Sequence, residues 1–137
     1  AAEIPQSVLT GEEVGEPHIT LIYGIVGATA KEVVDVVRRM PQINIVFRQT
    51  STFESPDGHV IKIDIDSKEL HQAHGKLIDR VPNVQTWPTY VPHCTLAYVK
   101  RVPADAIGDN PLTGRGALLT HAMVSIDGER VRVPLRP

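Results

Sequence analysis

Cysteine and long apolar runs are nearly absent from this sequence. Cys94 is the only cysteine in 137 residues, so an internal disulfide bond is excluded and a reducing compartment, the cytoplasm, is expected. No stretch approaches the roughly 20 apolar residues that a membrane-spanning helix needs, and we therefore expect no membrane partner.

The sequence also lacks an excess of positive charge. Lysine and arginine number 14 against 16 acidic residues, which gives a formal charge of −2, and no basic cluster stands out. Proteins that bind long nucleic acids neutralise many phosphates and usually carry a clear basic surplus. The charge balance therefore argues against a long duplex as partner and favours a small phosphate-bearing ligand.

Apolar residues are plentiful enough for one packed domain. They make up 42% of the chain, and a chain of this length buries about two-thirds of the surface that it exposes when unfolded. We predict a single domain spanning 1–137. The chain starts at Ala1 without a methionine, which adds the alternative that this domain is excised from a longer protein.

The pattern of polar and apolar residues predicts an α+β order of elements. Thr29 and Ser67 are typical N-caps and predict two helices. Ser55-Pro56-Asp57-Gly58 and Asp127-Gly128 are turn sequences, each of which should connect two strands as a hairpin. The predicted helices span 30–40 and 68–80, and the predicted strands span 1–9, 17–23, 43–53, 59–65, 92–99, 117–126 and 130–135.

One seven-residue pattern occurs twice. Pro17-His18-Ile19-Thr20-Leu21-Ile22-Tyr23 recurs as Pro92-His93-Cys94-Thr95-Leu96-Ala97-Tyr98, with five of the seven positions identical. Side chains alternate between the two faces of a strand, so each copy should present its histidine and threonine on one face. The alternate residues, among them Tyr23, Leu96 and Tyr98, are expected to be buried on the opposite face.

The paired histidines and threonines are suited to breaking a phosphodiester bond. His18 and His93 are predicted to be the catalytic acid and base, because imidazole, with a pKa of roughly 6.5, accepts or delivers a proton at neutral pH. Thr20 and Thr95 can donate hydrogen bonds to the non-bridging phosphate oxygens, which carry charge in the transition state. This chemistry needs no metal and no cofactor, and we predict neither.

The motifs His18-Ile19-Thr20-Leu21 and His93-Cys94-Thr95-Leu96 resemble those of the 2H phosphoesterase superfamily, named for two His-x-Thr motifs with apolar neighbours. The helix–hairpin–helix order between them is also similar to that family, as is an aromatic residue, Tyr90, three positions before the second histidine. The resemblance runs from about Pro17 to Val99 and is greatest to bacterial or phage members. The short segment before the first motif departs from the family, which usually has a full strand there.

The resemblance implies a bilobal fold, in which two similar lobes of antiparallel sheet with outer helices surround a central cleft and each lobe carries one motif. It also implies a metal-independent phosphodiesterase. The substrate would be a 2′,3′-cyclic phosphate, a 2′,5′-linked oligonucleotide or a cyclic oligonucleotide signal. Such a small nucleotide or short oligonucleotide would be met in the cytoplasm of a bacterium or of an infected host cell. The sequence leaves the choice of substrate and the oligomeric state open.

Three residues around the second motif are candidates for the rim of the site. Trp87 and Tyr90 either stack on a base, as aromatic side chains do with unpaired nucleotides, or plug a proline-rich loop. Lys100 either meets a phosphate or lies at a solvated strand end. Both interpretations of the aromatic residues, and both of the lysine, are compatible with the sequence.

The remaining histidines and the cysteine are interpreted as structural. His71 and His74 lie one helical turn apart without further ligands nearby, so we predict a solvated helix face and no metal site. His59 and His121 accompany no motif. Cys94 alternates away from the histidine face, which argues against a nucleophile and favours a small buried residue.

Two other classes of function fit the same sequence. A binding protein could hold a nucleotide without turning it over, although the presence of all four motif residues argues against a degenerate site. A structural domain of a phage or cellular protein is the second alternative, but it leaves the duplicated motif unexplained.

Overall fold

The computed structural model describes residues 17–56, 58–86 and 89–137, which fold into two compact units. Within that part, unit 1 comprises residues 17–20, 46–66 and 91–115, and unit 2 comprises residues 21–45, 67–90 and 116–137. The two α-helices of the described residues lie in unit 2, and both units contain antiparallel strands. The predicted α+β class is confirmed, whereas a single domain with a central cleft stays a prediction.

The strands of unit 1 begin with the hairpin that the turn sequence predicts. β1 (Ile43–Ser55, with 46–55 in unit 1) and β2 (Gly58–Asp66) pair in antiparallel register, with Ser51 opposite Lys62. Alternating β-branched residues give β2 its extended form. Both strands run slightly beyond the predicted bounds, because the ladder continues into the turn to Ser55 and Gly58 and, at its other end, to Asp66.

The second motif forms the next strand of unit 1. β3 (His93–Val99) pairs in antiparallel register with β2, so that His93 lies opposite Asp64 and Thr95 lies opposite Lys62. Opposed residues of paired strands share a face of the sheet. The histidine and threonine of the second motif therefore lie on one face, as predicted, and share it with a lysine and an aspartate.

A β-bulge changes the alternation further along β3. The register of β3 shifts so that Leu96 has no partner of its own on β2. Tyr98 then lies opposite Val60, which shares a face with Lys62 and hence with Thr95. The expectation that Tyr98 lies on the face opposite Thr95 is wrong, and so is the expected burial of Leu96, which is 41% exposed.

The buried core of unit 1 lies under β2 and β3. A short 3₁₀ helix, Ala104–Ala106, was not predicted from the sequence and packs here. The core cluster consists of Ile61, Ala97, Val99 and Ala106, with Val102 packed against it.

The first motif does not form the strand predicted over 17–23. Ile19 pairs with Cys94 in one isolated antiparallel bridge, and no ladder continues from it. The seven-residue copy 17–23 is divided between the units: His18, Ile19 and Thr20 belong to unit 1, and residues from Leu21 onward belong to unit 2. Tyr23 is 63% exposed, so its predicted burial is also wrong.

Unit 2 contains the first helix, α1 (Ala30–Val37). Its N-cap is the predicted Thr29, whose hydroxyl oxygen accepts a hydrogen bond from a backbone N–H of the first turn. Val33 and Val37 are buried on one side. The helix ends before the predicted Met40, whose backbone N–H donates to the Val37 carbonyl in a tighter turn.

The second helix of unit 2, α2 (Lys68–Arg80), has the predicted bounds. Ser67 caps it by accepting a hydrogen bond from the Leu70 N–H at 3.1 Å. Leu70, Ala73 and Leu77 are buried and repeat at helical spacing. Neither α1 nor α2, the α-helices of the described residues, is long and apolar enough to cross a membrane.

Three short strands complete unit 2. They are β4 (Gly116–Leu119), β5 (His121–Ile126) and β6 (Glu129–Pro134), and the single strand predicted over 117–126 is therefore wrong. β5 and β6 form the predicted hairpin, in which Asp127 and Gly128 have φ of 51° and 81°. β4 lies beside β1, and α1 packs against β5 and β6.

Candidate active site

The residues of both His-x-Thr motifs lie in unit 1, where a backbone bridge joins them. Ile19 of the first motif and Cys94 of the second are antiparallel partners. The same register, continued by one residue on either side, aligns each histidine with the threonine of the other motif. Opposed residues in such a pair lie about 4.5–5.5 Å apart at Cα. The expectation of one motif in each lobe is wrong for these compact units.

The bridge also determines which face the motif side chains share. His18 and Thr20 flank Ile19 and alternate away from it, as His93 and Thr95 alternate away from Cys94. All four candidate residues thus belong to one side of the paired backbones. His18 is exposed, and the two threonines and His93 are half-buried, so this side remains accessible to a ligand.

His93 is held in a defined orientation. Its Nδ1–H donates a hydrogen bond to the Val91 carbonyl at 2.9 Å, because a carbonyl oxygen only accepts. The Phe53 ring lies edge-on to the imidazole, with ring centroids 5.7 Å apart and planes at 71°. In the neutral ring Nε2 is therefore the nitrogen that accepts a proton.

Cys94 lies on the other face of β3, opposite Ile63. Partial burial raises the pKa of the Cys94 thiol, and a hydrogen bond from the backbone of His18 acts in the opposite direction. The thiol is thus predominantly protonated at neutral pH, which is unfavourable for a nucleophile. The same contact brings the backbone of His18 next to the second motif.

Three polar side chains on β1 and β2 border the second motif. The Lys62 ammonium donates to the Ser51 hydroxyl at 2.8 Å and to the Asp64 carboxylate. Ser51 in turn donates to Asp64 at 2.9 Å. Since Lys62 and Asp64 are the β2 partners of Thr95 and His93, this cluster lies on the motif face.

Sequence reasoning missed this cluster and the Phe53 contact. A signal was present, because the alternation of the predicted strand 59–65 leaves Lys62 and Asp64 on the side opposite its isoleucines. What the sequence did not contain was the pairing of this strand with the second motif.

Tyr90, a candidate for base stacking, lies in unit 2 against α2. Its ring stacks on His74 with centroids 4.1 Å apart and planes at 7°, and meets His71 edge-on at 5.3 Å. His74 Nδ1–H donates to the Leu21 carbonyl at 2.6 Å. Burial, with a smaller contribution from Tyr23, raises the pKa of Tyr90.

These contacts change the interpretation of the α2 histidines. His71 is exposed, but His74 is half-buried between a carbonyl and Tyr90, so the predicted solvated face is wrong for His74. One face of the Tyr90 ring is covered by His74. Base stacking on Tyr90 stays a prediction and would have to use the other face.

The other candidates are distributed as follows. Lys100 is exposed directly after β3, and Trp87 lies outside the described residues. His59 is half-buried in β2, and His121 is exposed and shares a hydrogen bond with the side chain of Thr120. Within the described ranges, no group of three or more histidine, cysteine, aspartate or glutamate side chains is placed to hold a metal ion.

Comparison with known proteins agrees with the resemblance in the motifs. The family model of the 2′-5′ RNA ligase superfamily matches residues 12–109, most of the chain and both motifs. The chain belongs to the 2′-5′ RNA ligase superfamily. The predicted relationship to the 2H phosphoesterases is thereby confirmed. No curated protein matches the sequence.

The fold of this superfamily member is similar to that of a solved phosphoesterase. The structure described as "Crystal structure of phosphoesterase" aligns over 94% of this chain and 78% of its own, with a TM-score of 0.51 and 12% sequence identity. At this identity the likeness concerns the fold alone. The assignment to bacterial or phage members stays a prediction.

Proposed function

We propose that this protein is a metal-independent phosphodiesterase in which His18 and His93 are the general acid and base. The observation that carries the proposal is the antiparallel bridge between Ile19 and Cys94. It supports a site in which two histidines and two threonines face one ligand. Membership of the superfamily supports the same class of reaction.

The proposed reaction is the hydrolysis of a 2′,3′-cyclic phosphate, and it needs no reactant besides water. The neutral histidine takes a proton from water, and the water oxygen forms a bond to phosphorus. The bond from phosphorus to one ribose oxygen breaks, and the protonated histidine gives that oxygen its proton. A phosphate monoester and a ribose hydroxyl result, and a second proton transfer restores both rings.

The geometry of His93 supports its part in this exchange. Because Nδ1–H is engaged by the Val91 carbonyl, Nε2 is the atom that takes or delivers the proton. Thr20 and Thr95 would donate to the non-bridging oxygens, where negative charge grows as the pentacoordinate transition state forms. Which of His18 and His93 acts as base and which as acid depends on the orientation in which the substrate binds.

The proposed substrate is a small nucleotide. A 2′,3′-cyclic phosphate, a 2′,5′-linked oligonucleotide and a cyclic oligonucleotide signal each present one phosphodiester to the four motif residues. The formal charge of −2 is unfavourable for a long duplex, which would need many basic contacts. With a 2′,5′ linkage, the neighbouring ribose hydroxyl can replace water as the attacking group and leave a cyclic end.

The test is turnover in the presence of EDTA. The protein is incubated with 2′,3′-cyclic mononucleotides, 2′,5′-oligoadenylate and cyclic di- and trinucleotides, and the products are separated by chromatography. His18→Ala and His93→Ala should each lower kcat by roughly 10²- to 10⁴-fold, since each removes one proton-transfer group. The matched control is His121→Ala, an exposed histidine of unit 2, which should retain full activity.

The pH dependence adds a second readout. A neutral and a protonated imidazole acting together give a bell-shaped profile of kcat/KM with two macroscopic pKa values. Full activity of either histidine variant contradicts the proposal. Tight binding of one nucleotide without turnover would instead favour a protein that sequesters its ligand.

A further inference from the structure

Lys62 is an unusual residue for a sheet position. It is 8% exposed, and among the buried polar residues of the described chain, Thr50, Lys62 and Ser67, it alone carries a charge. Removing an ammonium group from water is costly unless it is paired and hydrogen-bonded. The pairing with Asp64 offsets part of that cost, but a purely apolar residue would avoid it. A ligand for the ammonium would explain why a charge is kept here.

The hydrogen bonds of Lys62 leave capacity for such a ligand. An ammonium group has three N–H donors, and Ser51 and Asp64 accept two hydrogen bonds from Lys62 Nζ. The bond from Ser51 to Asp64 closes a ring of three contacts that fixes the ammonium in place. The third N–H is available to an anion on the same face.

The position of this ammonium coincides with the candidate site. Lys62 lies directly opposite Thr95, and Asp64 lies directly opposite His93. Opposed side chains on one face have Cβ atoms about 4.5–5.5 Å apart. Through the Ile19–Cys94 bridge the first motif is on the other side of β3 from Lys62. A phosphate at the motifs therefore has the ammonium of the Lys62–Asp64 pair on the side of the site formed by β2.

We propose that Lys62 is a phosphate-binding residue, donating its third hydrogen bond to a non-bridging oxygen of the substrate beside Thr95. This inference rests on the proposed function and adds to it a cationic hydrogen-bond donor that takes no part in the proton transfers. Asp64 and Ser51 act through Lys62 and are positioning residues. A prepositioned charge acts most strongly as the phosphate gains negative charge, so its effect belongs mainly to kcat.

The alternative is an ion pair that only stabilises the sheet, and paired variants separate the two. Lys62→Met removes the ammonium but leaves Asp64 as an uncompensated carboxylate, which would itself repel a phosphate. The double variant Lys62→Met/Asp64→Asn removes both charges. Thermal unfolding identifies any variant that does not fold, and Lys68→Met, an exposed lysine at the start of α2, is the matched control.

The expected result is a loss of roughly 10²-fold in kcat/KM for 2′,3′-cyclic AMP in both Lys62 variants, mostly in kcat. Lys68→Met should be unchanged. If the wild type is active and His93→Ala is inactive, but the double variant keeps wild-type kcat, the inference about Lys62 is overturned and the proposed function stands.

Binding gives a second measurement that does not depend on turnover. Isothermal titration with adenosine 3′-monophosphate should show an affinity about tenfold lower for the double variant than for the wild type, even if the wild type turns nothing over. That result would support the Lys62 contact while the proposed function fails. Equal affinities, or no binding by the wild type, would overturn the role of Lys62.

Discussion

The two copies of the repeated heptapeptide share five residues but not a local structure. The second copy lies largely within the strand β3, which pairs with β2 on both sides of the bulge at Leu96. The first copy has one isolated bridge, and its chain leaves unit 1 after Thr20. The corresponding tyrosines differ as well, since Tyr98 is half-buried and Tyr23 is 63% exposed.

This difference shows that the pairing partner determines the conformation of these residues. β-propensity describes how well a residue fits a pleated and paired surface, and a segment without a ladder lacks that surface. His93 is oriented by the Val91 carbonyl and the Phe53 ring, both within unit 1. The second motif is thus organised by its neighbours within unit 1, and the first is attached through the second at one bridge. Disturbing β3 should affect both motifs.

The largest expected effect comes from two glycines that lie beside the two copies. A Cβ at Gly24 would lie 2.2 Å from the Val84 carbonyl oxygen, and a Cβ at Gly58 would lie 2.3 Å from that of Val99. Their φ values of 78° and 145° are also unfavourable for alanine. Gly24→Ala and Gly58→Ala should each lower the free energy of unfolding by about 2–4 kcal/mol, measured in urea.

Gly27→Ala is the control for these two variants. Gly27 has φ of 70°, but a Cβ there would meet no atom within 4 Å beyond its own chain neighbours. The substitution should cost only about 1–2 kcal/mol, from the backbone conformation alone. A Gly27→Ala variant as unstable as the other two would contradict the role of the carbonyl contacts.

A smaller effect should distinguish the two threonines. Thr20→Val and Thr95→Val keep the shape and remove the hydroxyl, and each should lower kcat by roughly 10- to 100-fold. The loss should be larger for Thr95, because Thr95 lies in the ladder between β2 and β3, opposite Lys62, whereas Thr20 lies outside any ladder. Thr52→Val, opposite Ile61 in the hairpin, is the control and should be fully active. Equal losses at Thr20 and Thr95 would mean that the looser first motif is ordered by the substrate.

The smallest effect concerns Cys94, which joins the two copies. Because burial raises the pKa of its thiol, the thiolate fraction at about pH 7.5 is lower than for an exposed cysteine. Alkylation by iodoacetamide, followed by mass spectrometry, should be several-fold slower than for Ser125→Cys in a Cys94→Ser background, and should accelerate as the pH rises. Equal rates would indicate that the Ile19–Cys94 bridge opens readily.

Local sequence was sufficient for much of the fold. Thr29 and Ser67 cap helices because their side chains bond within the next turn, and Asp127-Gly128 forms a hairpin because both residues adopt positive φ. The end of α1, the break at Thr120 and the bulge at Leu96 were not predicted. Each depends on contacts with segments far away in the sequence, which local patterns do not encode.

The sequence by itself determined the superfamily and the four candidate residues. A duplicated His-x-Thr pattern consists of neighbouring residues, so it can be recognised without knowing how the chain folds. Only the tertiary structure decided that one bridge joins the motifs, that β2 lies beside the second motif, and that Lys62 and Asp64 share its face. Strand pairing is a non-local choice among many registers, and a shift of one residue moves every side chain to the other face. The sequence therefore identifies the histidines and threonines of the candidate site, and the pairing of the strands determines which other side chains lie beside them.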